Sequence, residues 1–206
     1  MRVAVIGGTG PFGRALAGRL HASGLEVIVG SRDAGRAAAT ALEIDCVGEA
    51  NGDACEDADF VVLAVNAEAA LGMARELRRS IGTTPLLSVA SELRFSQAGV
   101  LPSTDALSLA ERIQSELQGP VVAGLHSLPA ASLAADEPPD DDAFVCGDDP
   151  DAKALGLDLA SRLTAGRALD AGPLASARAL EGLTAVLVNL NKRYKAHAGF
   201  RVTGLP

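Results

Sequence analysis

Short apolar runs of strand length alternate along the chain with longer stretches rich in Ala and Leu. The runs predict strands at residues 2–6, 26–30, 60–65, 85–89, 121–125 and 143–146, with a weaker one at 44–47. The stretches between them predict helices at residues 12–23, 34–42, 68–80, 103–117, 151–164 and 174–194. Because strands that alternate with helices form βαβ units, the pattern predicts an α/β fold of the Rossmann-like, doubly wound type with a mostly parallel sheet.

The length of 206 residues and the hydrophobic content of 48% are enough for one well-buried α/β domain and leave little room for a second. We expect a main domain at residues 1–148 and a small C-terminal αβα extension at residues 149–206. The acidic run DEPPDDD, residues 136–142, is predicted to be an exposed, hydrated loop rather than a metal site.

Charge and cysteine content narrow the class of protein. A formal net charge of -8 and a pI near 4.9 argue against nucleic acid or an anionic membrane as the main partner. Three cysteines are too few and wrongly spaced for a disulfide framework or a zinc site, so no metal is expected. The first strand begins at Arg2 with no leader before it, and no apolar run is long enough for a membrane span. We therefore expect a soluble, cytoplasmic protein.

The glycine-rich stretch GGTGPFG joins the first predicted strand to the first predicted helix. It contains Gly8-x-Gly10-x-x-Gly13, in which the first glycine permits a tight turn, the second lets a pyrophosphate approach and the third lets helix and strand pack closely. Pro11 suits the first helical position, and the helix N-terminus favours an anion. The stretch predicts a dinucleotide site, with a glycine-rich turn without a ligand as the alternative.

The end of the second strand indicates which dinucleotide is bound. NAD-specific folds usually place an acidic residue there to bind the ribose 2′-hydroxyl, whereas this chain has Ser31 and Arg32, with Arg36 one helical turn further on. A hydroxyl and two guanidinium groups suit a 2′-phosphate. The sequence therefore predicts NADP(H), although Asp33 lies nearby and the two arginines could be ordinary surface residues.

The segments that follow the later strands are small, apolar or weakly polar. They contain no nucleophile paired with a base and no pair of catalytic carboxylates. His126 is the one candidate in them for donating or accepting a proton, and a structural role for it is an equal alternative. Such a site is typical of hydride transfer, in which proximity and exclusion of water supply most of the effect.

Several longer segments resemble those of one family. The segments are MRVAVIGGTGPFGRALAGRL, EVIVGSR, GLHSLPAA, FVCGDD, LDAGPLASARALEGLTAVLVNLN and the ending RYKAHAGFRVTGLP. Together they resemble the NADPH:F420 oxidoreductases, or F420-dependent NADP reductases, essentially from end to end. The resemblance implies reversible hydride transfer between NADP(H) and the deazaflavin coenzyme F420, without a covalent enzyme intermediate. It also implies a homodimer, with residues 149–206 completing the pocket of the second coenzyme.

The resemblance also implies roles for individual residues. Thr9 to Phe12 would hold the pyrophosphate, and Ser31, Arg32 and Arg36 the 2′-phosphate. The cleft for nicotinamide and deazaflavin would be lined by Val65, Ala67, Val89 and Ala130, and Ala198 would touch F420. Val65 and Val89 could equally be ordinary core residues. Candidate cations for the phosphate and glutamyl tail of F420 are Arg94, Arg178, Lys192, Arg193, Lys195 and Arg201.

Two departures from the family pattern concern the second coenzyme. Asn66-Ala67 stands where the family commonly has a Pro with a bulky neighbour, and SVASELRFSQAG replaces a segment rich in Pro and Val followed by Arg-Gly. Two alternatives therefore stay open at this point. One is an NADPH-dependent reductase of another acceptor, such as a flavin, a pterin or an imine, and the other is a non-catalytic NADP-binding protein.

Overall fold

The computed structural model describes residues 1–205. Its strands are β1 (Arg2–Ile6), β2 (Glu26–Ser31), β3 (Val47–Ala50), β4 (Phe60–Leu63), β5 (Leu86–Ser88), β6 (Leu93–Ser96), β7 (Gly99–Pro102), β8 (Val121–Gly124), β9 (Ala143–Gly147) and β10 (Ala168–Asp170). Its helices are α1 (Pro11–Ala22), α2 (Ala34–Ile44), α3 (Asn51–Glu56), α4 (Ala67–Ile81), α5 (Leu109–Gln114), α6 (Ala130–Leu133), α7 (Pro150–Ser161) and α8 (Ala177–Tyr194). A 3-10 turn, Leu174–Ser176, precedes α8.

Eight strands form one sheet in the order β10-β9-β8-β5-β4-β1-β2-β3. All neighbouring pairs are parallel except β8 and β9, which are antiparallel. From β1 the chain first builds towards β3 and then returns to build from β4 towards the other edge. The predicted doubly wound, mostly parallel sheet is thereby confirmed, and the order reverses between β1 and β4. Ligands of open α/β sheets bind at the carboxyl ends of the strands at such a reversal.

Both faces of this sheet are buried, as the continuous apolar strands require. Ala4 and Ile6 of β1 point to one face, which α3, α4, α5 and α8 cover. Val3 and Val5 point to the other face, which α1, α2, α6 and α7 cover. The core is built from Ala, Val, Leu and Ile, with Phe60 the largest fully buried side chain.

Two predicted elements are wrong in extent. The weak strand at 44–47 is displaced, because α2 continues to Ile44 and Asp45 ends it in the left-handed conformation (φ 66°), so that β3 begins only at Val47. The helix at 103–117 is reduced to α5, since Ser108 and Glu111 form a capping box that fixes its start. The antiparallel hairpin of β6 and β7 precedes α5 in the chain and was not predicted.

The acidic run at 136–142 is not exposed throughout, which corrects the prediction. Asp142 is fully buried. Its carboxylate accepts hydrogen bonds from the backbone and guanidinium of Arg167 and from the backbone N–H of Val202. These donors hold the pKa of the Asp142 carboxyl well below its usual range, with the side chain of Arg167 contributing most. A charged residue is buried here because every oxygen has a partner, and the pairing fixes the C-terminal segment to the sheet.

No helix within residues 1–205 is long and apolar enough to cross a membrane.

Candidate functional site

The glycine loop is tightly packed at both ends and open in the middle. Gly7 has a φ of +84°, a conformation that favours glycine. A Cβ on Gly8 would lie 2.8 Å from the carbonyl oxygen of Val5, and a Cβ on Gly13 would overlap the carbonyl oxygen of Gly7. A Cβ on Gly10 would meet only that same oxygen, at 3.4 Å. Packing therefore requires glycine at both ends, whereas the bare backbone of Gly10 faces open space.

The start of α1 adds an electropositive end to this loop. Gly10 is the N-cap residue and supplies no capping side chain, Pro11 occupies the first turn, and that turn contains no acidic residue. The first N–H groups of a helix have no intrahelical acceptor. Together with the helix dipole they make the loop suitable for binding a phosphate group.

Ser31, Arg32 and Arg36 lie together at the end of β2 and the start of α2. They line a cavity of about 560 Å³ that also includes Gly7, Thr9 and Gly10. Ser31 is nearly buried, whereas both arginines are exposed. Within residues 1–205, neither arginine forms an ion pair with a carboxylate. Two cations and a hydroxyl are thus free to bind an anion in this cavity.

Asp33 lines the same cavity and carries the opposite charge. Its Oδ1 accepts a hydrogen bond of 3.1 Å from the backbone N–H of Arg36, so the carboxylate caps α2. The backbone N–H of Asp33 in turn donates to Ser31 Oγ at 3.2 Å. Because the carboxylate is bound to the helix start, the guanidinium groups of Arg32 and Arg36 stay available.

A second cavity, of about 410 Å³, adjoins the first. The two share Gly10, Ala64, Val65 and Asn66, and so form one continuous cleft at the carboxyl ends of the strands. The predicted residues that line the second cavity are Gly10, Pro11, Phe12, Gly13, Val65, Ala67, Val89, His126 and Ala130. The rest of its wall comes from further residues after β4, β5 and β8, from Leu93 of β6 and from the C-terminal helix α8. One end of the cleft is therefore cationic and the other is mostly apolar.

Two predicted site residues do not line this cleft. Gly8 lies in the turn below the loop, where its absent side chain makes room for Val5 and Val29. Ala198 is not among the lining residues, but its backbone N–H donates to Oδ1 of Asn191 at 2.6 Å, and Asn191 itself lines the cleft. The C-terminal segment is thus tied to the wall through Asn191.

His126 lies in the apolar part of the cleft. His126 is 8% exposed, and within residues 1–205 neither ring nitrogen forms a hydrogen bond of good geometry, although the backbone of Ala90 lies close to the ring. Burial lowers the pKa of His126 to about 4, an effect that the nearby backbone of Ala90 only partly opposes. The imidazole is accordingly neutral near pH 7, when one ring nitrogen can donate a hydrogen bond and the other can accept one.

The resemblance implied that residues 149–206 complete the second pocket, but the individual residues of its helical wall were not predicted. Thr184, Leu187, Val188 and Asn191 of α8 line it. Their spacing of three, four and seven residues places them on one face of a helix, and this spacing was the available signal. Thr184 donates to the carbonyl oxygen of His126 at 3.2 Å, and its hydroxyl lies 2.7 Å from that of Ser91. This pair of contacts joins α8 to the loops after β5 and β8.

The candidate cations for a second coenzyme divide into two groups. Arg201 is paired with Asp140, Arg178 donates to the carbonyl of Ala106, and Arg94 donates to the carbonyl of Pro102. Lys192, Arg193 and Lys195 are exposed at the end of α8 and form no ion pair within residues 1–205. They follow Asn191 directly in the chain, so this second group is nearest in sequence to the cleft wall.

The sequence is similar to those of known F420-dependent NADP reductases. The family model for "NADP oxidoreductase coenzyme F420-dependent" matches residues 2–92. The F420-dependent NADP reductase of Methanothermobacter thermautotrophicus is 36% identical over an alignment of 226 positions, gaps included, which covers 100% of this chain and 96% of that protein. The F420-dependent NADP reductase of Methanocaldococcus jannaschii is 33% identical, with coverage of 100% and 99%.

A solved structure is also similar over the whole chain. It is a candidate F420-dependent NADP reductase from Arthrobacter sp. FB24, with a TM-score of 0.86 and 26% identity, covering 99% of this chain and 100% of that one. The similarity therefore includes the cleft and the C-terminal helix as well as the glycine loop.

Proposed function

Since the chain belongs to the family of F420-dependent NADP reductases, we propose that it reversibly transfers a hydride between NADP(H) and coenzyme F420. In the forward direction, NADPH, F420 and one proton give NADP⁺ and reduced F420. The observation that carries the proposal is the continuous cleft, which has a cationic end and a mostly apolar end of about 410 Å³. The enzyme forms no covalent bond to either coenzyme in this scheme.

The cationic end of the cleft is suited to the phosphates of NADP(H). Thr9 to Phe12 would surround the pyrophosphate, with Gly10 leaving space for it and Gly8 and Gly13 holding the loop in shape. Ser31, Arg32 and Arg36 would bind the 2′-phosphate through charge-assisted hydrogen bonds. These contacts fix the position of the coenzyme without taking part in the chemistry.

The apolar end is suited to bringing the two rings together. The nicotinamide C4 and the deazaflavin C5 exchange the hydride when both coenzymes are bound. Val65, Ala67, Val89 and Ala130 would line the space around those rings and exclude water. Binding both rings in one cleft makes the reaction effectively unimolecular, and this can supply several kcal/mol of the barrier reduction, about 7–11 for well-oriented partners.

In this proposal His126 does not act as a charged acid. Its neutral imidazole lies in the wall of the apolar end, and within the described residues neither ring nitrogen forms a hydrogen bond of good geometry. We therefore propose that His126 donates a hydrogen bond to one coenzyme, or accepts one from it, and so orients that coenzyme. Ala198 would act on F420 only indirectly, through its hydrogen bond to Asn191.

The proposal also covers the division into domains, the oligomeric state and the cellular location. We place the main coenzyme-binding domain at residues 1–148 and the part that completes the second pocket at 149–206, where α8 supplies the cleft wall. We also propose a homodimer, because α8 and the hairpin leave large apolar side chains exposed, among them Phe95, Val186 and Tyr194. A cytoplasmic location is in keeping with three cysteines that form no disulfide.

The test is to mix the purified protein with NADPH and oxidised F420 and to follow the loss of deazaflavin absorbance. We expect turnover with F420 and much slower turnover with flavins, pterins or cyclic imines as acceptors. Preference for one of those acceptors would identify a reductase of another substrate. Tight NADPH binding without turnover of any acceptor would identify a non-catalytic protein, and either result would refute the proposal.

A further inference from the structure

Asn51 has a buried amide without a strong hydrogen-bond partner in the protein. It is the first residue of α3 and follows β3, whose last residue, Ala50, pairs with Ser31 of β2. Asn51 is 7% exposed, and within residues 1–205 its Oδ1 accepts no hydrogen bond. Its Nδ2 donates only to the sulfur of Met73, at 3.5 Å, and a thioether is a weak acceptor.

The surroundings of this amide connect it to the cationic end of the cleft. Asn51 and Met73 line the same cavity of about 560 Å³ as Arg32 and Arg36. A Cβ on Gly30 would lie 3.1 Å from Asn51 Oδ1, so the amide has its place against β2 because residue 30 has no side chain. A buried polar group without a partner is unfavourable, and a ligand that brings a donor would remove this cost.

We propose that Asn51 binds the adenosine half of NADP(H), with Oδ1 accepting a hydrogen bond from it; this rests on the proposed function, because it assumes that NADP(H) occupies the cavity. The phosphates and ring nitrogens of that half are acceptors, which leaves two kinds of donor. One is the exocyclic amino group of adenine, the base with which Asn side chains commonly pair. The other is a ribose hydroxyl. The contact to Met73 holds Nδ2 away and leaves Oδ1 for this bond.

The test measures binding rather than turnover, with three probes. These are NADPH, deamino-NADPH, in which hypoxanthine replaces adenine, and reduced nicotinamide mononucleotide, which lacks the adenosine half. Each is titrated into the wild-type protein and into Asn51→Leu, which has a similar volume but no polar atom. Asn51→Ala is the second variant, since it removes the amide without adding bulk next to Met73.

Both variants are expected to bind NADPH about tenfold more weakly, since a hydrogen bond to a buried acceptor is lost. Their affinity for the mononucleotide should be unchanged. If the adenine amino group is the donor, the wild type will bind deamino-NADPH more weakly than NADPH and the variants will bind the two alike. If a ribose hydroxyl is the donor, the variants will lose the same factor for both dinucleotides.

Thermal unfolding without ligand separates binding from a structural role. Because Asn51→Leu removes an unpaired buried amide, its midpoint should equal or exceed that of the wild type. Unchanged NADPH affinity in both variants would overturn the inference, as would equal losses for NADPH and the mononucleotide. A wild-type protein that does not bind NADPH would instead refute the proposed function.

Discussion

The hydroxyl groups of Ser91 and Thr184 lie 2.7 Å apart, although the two residues are 93 positions apart in the chain. Because Thr184 donates its own proton to the carbonyl of His126 at 3.2 Å, Ser91 is the donor between the two hydroxyls. Three segments of the apolar cleft are therefore joined at one point: the loop after β5, the loop after β8 and α8. This junction fixes the distance between the walls that would enclose the reacting rings.

Replacing Thr184 with Val keeps the shape of the side chain and removes both hydrogen bonds. We expect turnover with F420 to fall about tenfold, since small displacements of reacting groups are costly in a hydride transfer. NADPH affinity should change less than twofold, because its phosphates bind at the other end of the cleft. Steady-state kinetics and NADPH titration check this, with Ser91→Ala as the milder variant. Unchanged turnover in Thr184→Val would contradict the role of the junction.

Arg32→Ala should weaken NADPH binding by about 10- to 100-fold, because a charge-assisted contact to the 2′-phosphate is lost. The affinity for NADH, which has no such phosphate, should change far less. Arg79→Ala is the matched control: Arg79 is exposed at the end of α4, outside the cleft, so the variant changes the net charge equally. Calorimetric titration of both coenzymes checks the prediction, and equal losses for NADPH and NADH would refute NADP specificity.

Gly10→Ala and Gly13→Ala should affect different properties. A methyl group on Gly10 fits the protein, since its nearest contact is Gly7 at 3.4 Å, so stability should be kept while NADPH affinity falls. A methyl group on Gly13 would overlap Gly7, and the free energy of unfolding should fall by about 1–3 kcal/mol. Urea unfolding and NADPH titration of the two variants separate these effects. A large loss of stability in Gly10→Ala would show that packing, not a ligand, requires that glycine.

Glu181 gives the free energy of unfolding a pH dependence. This residue of α8 is 4% exposed, and burial raises its pKa to about 7, opposed by hydrogen bonds from the backbone N–H groups of Leu109 and Ala110. Nearby Glu92 raises this pKa further, and Arg112 lowers it. The folded state therefore retains a proton that the unfolded state has already released.

Stability should accordingly fall as the pH rises from the pKa of an unfolded Glu, about 4.3, to the folded value, by roughly 3 kcal/mol in total. Glu181→Gln removes the titration and keeps an oxygen that can accept from α5. Urea unfolding between pH 4 and 8 should show wild-type stability declining relative to the variant. If the stabilities of the wild type and Glu181→Gln changed in parallel over this pH range, the raised pKa of Glu181 would be contradicted.

The secondary-structure elements that were predicted correctly from the sequence are those with a local sequence pattern. β1 and the turn into α1 follow from an apolar run, glycines and Pro11, and their structure agrees with the prediction. The hairpin of β6 and β7 was missed, because it depends on Asn189 of α8, which hydrogen-bonds the backbone N–H and carbonyl of Val100. Asp142 was misjudged for the same reason. Its partners Arg167 and Val202 lie 25 and 60 residues away, and composition alone cannot show them.

The residues of the site also divide into those with a local sequence pattern and those brought in by distant packing. Ser31, Arg32 and Arg36 are close in sequence, and the structure places them in one cavity. The wall of α8 and the amide of Asn51 reach the cleft only through the packing of distant elements. No local pattern assigns them to a ligand, although the helical spacing of Thr184, Leu187 and Asn191 marks one face.

Direct hydride transfer within the cleft is tested by the fate of a labelled hydride. NADPH that carries deuterium at the transferable position of C4 is mixed with the enzyme and oxidised F420 in ordinary water, and the reduced F420 is analysed by mass spectrometry. We expect one deuterium on C5 of each reduced F420, where carbon-bound hydrogen does not exchange with water. Reduced F420 without deuterium, or oxidation of NADPH without reduction of F420, would contradict it.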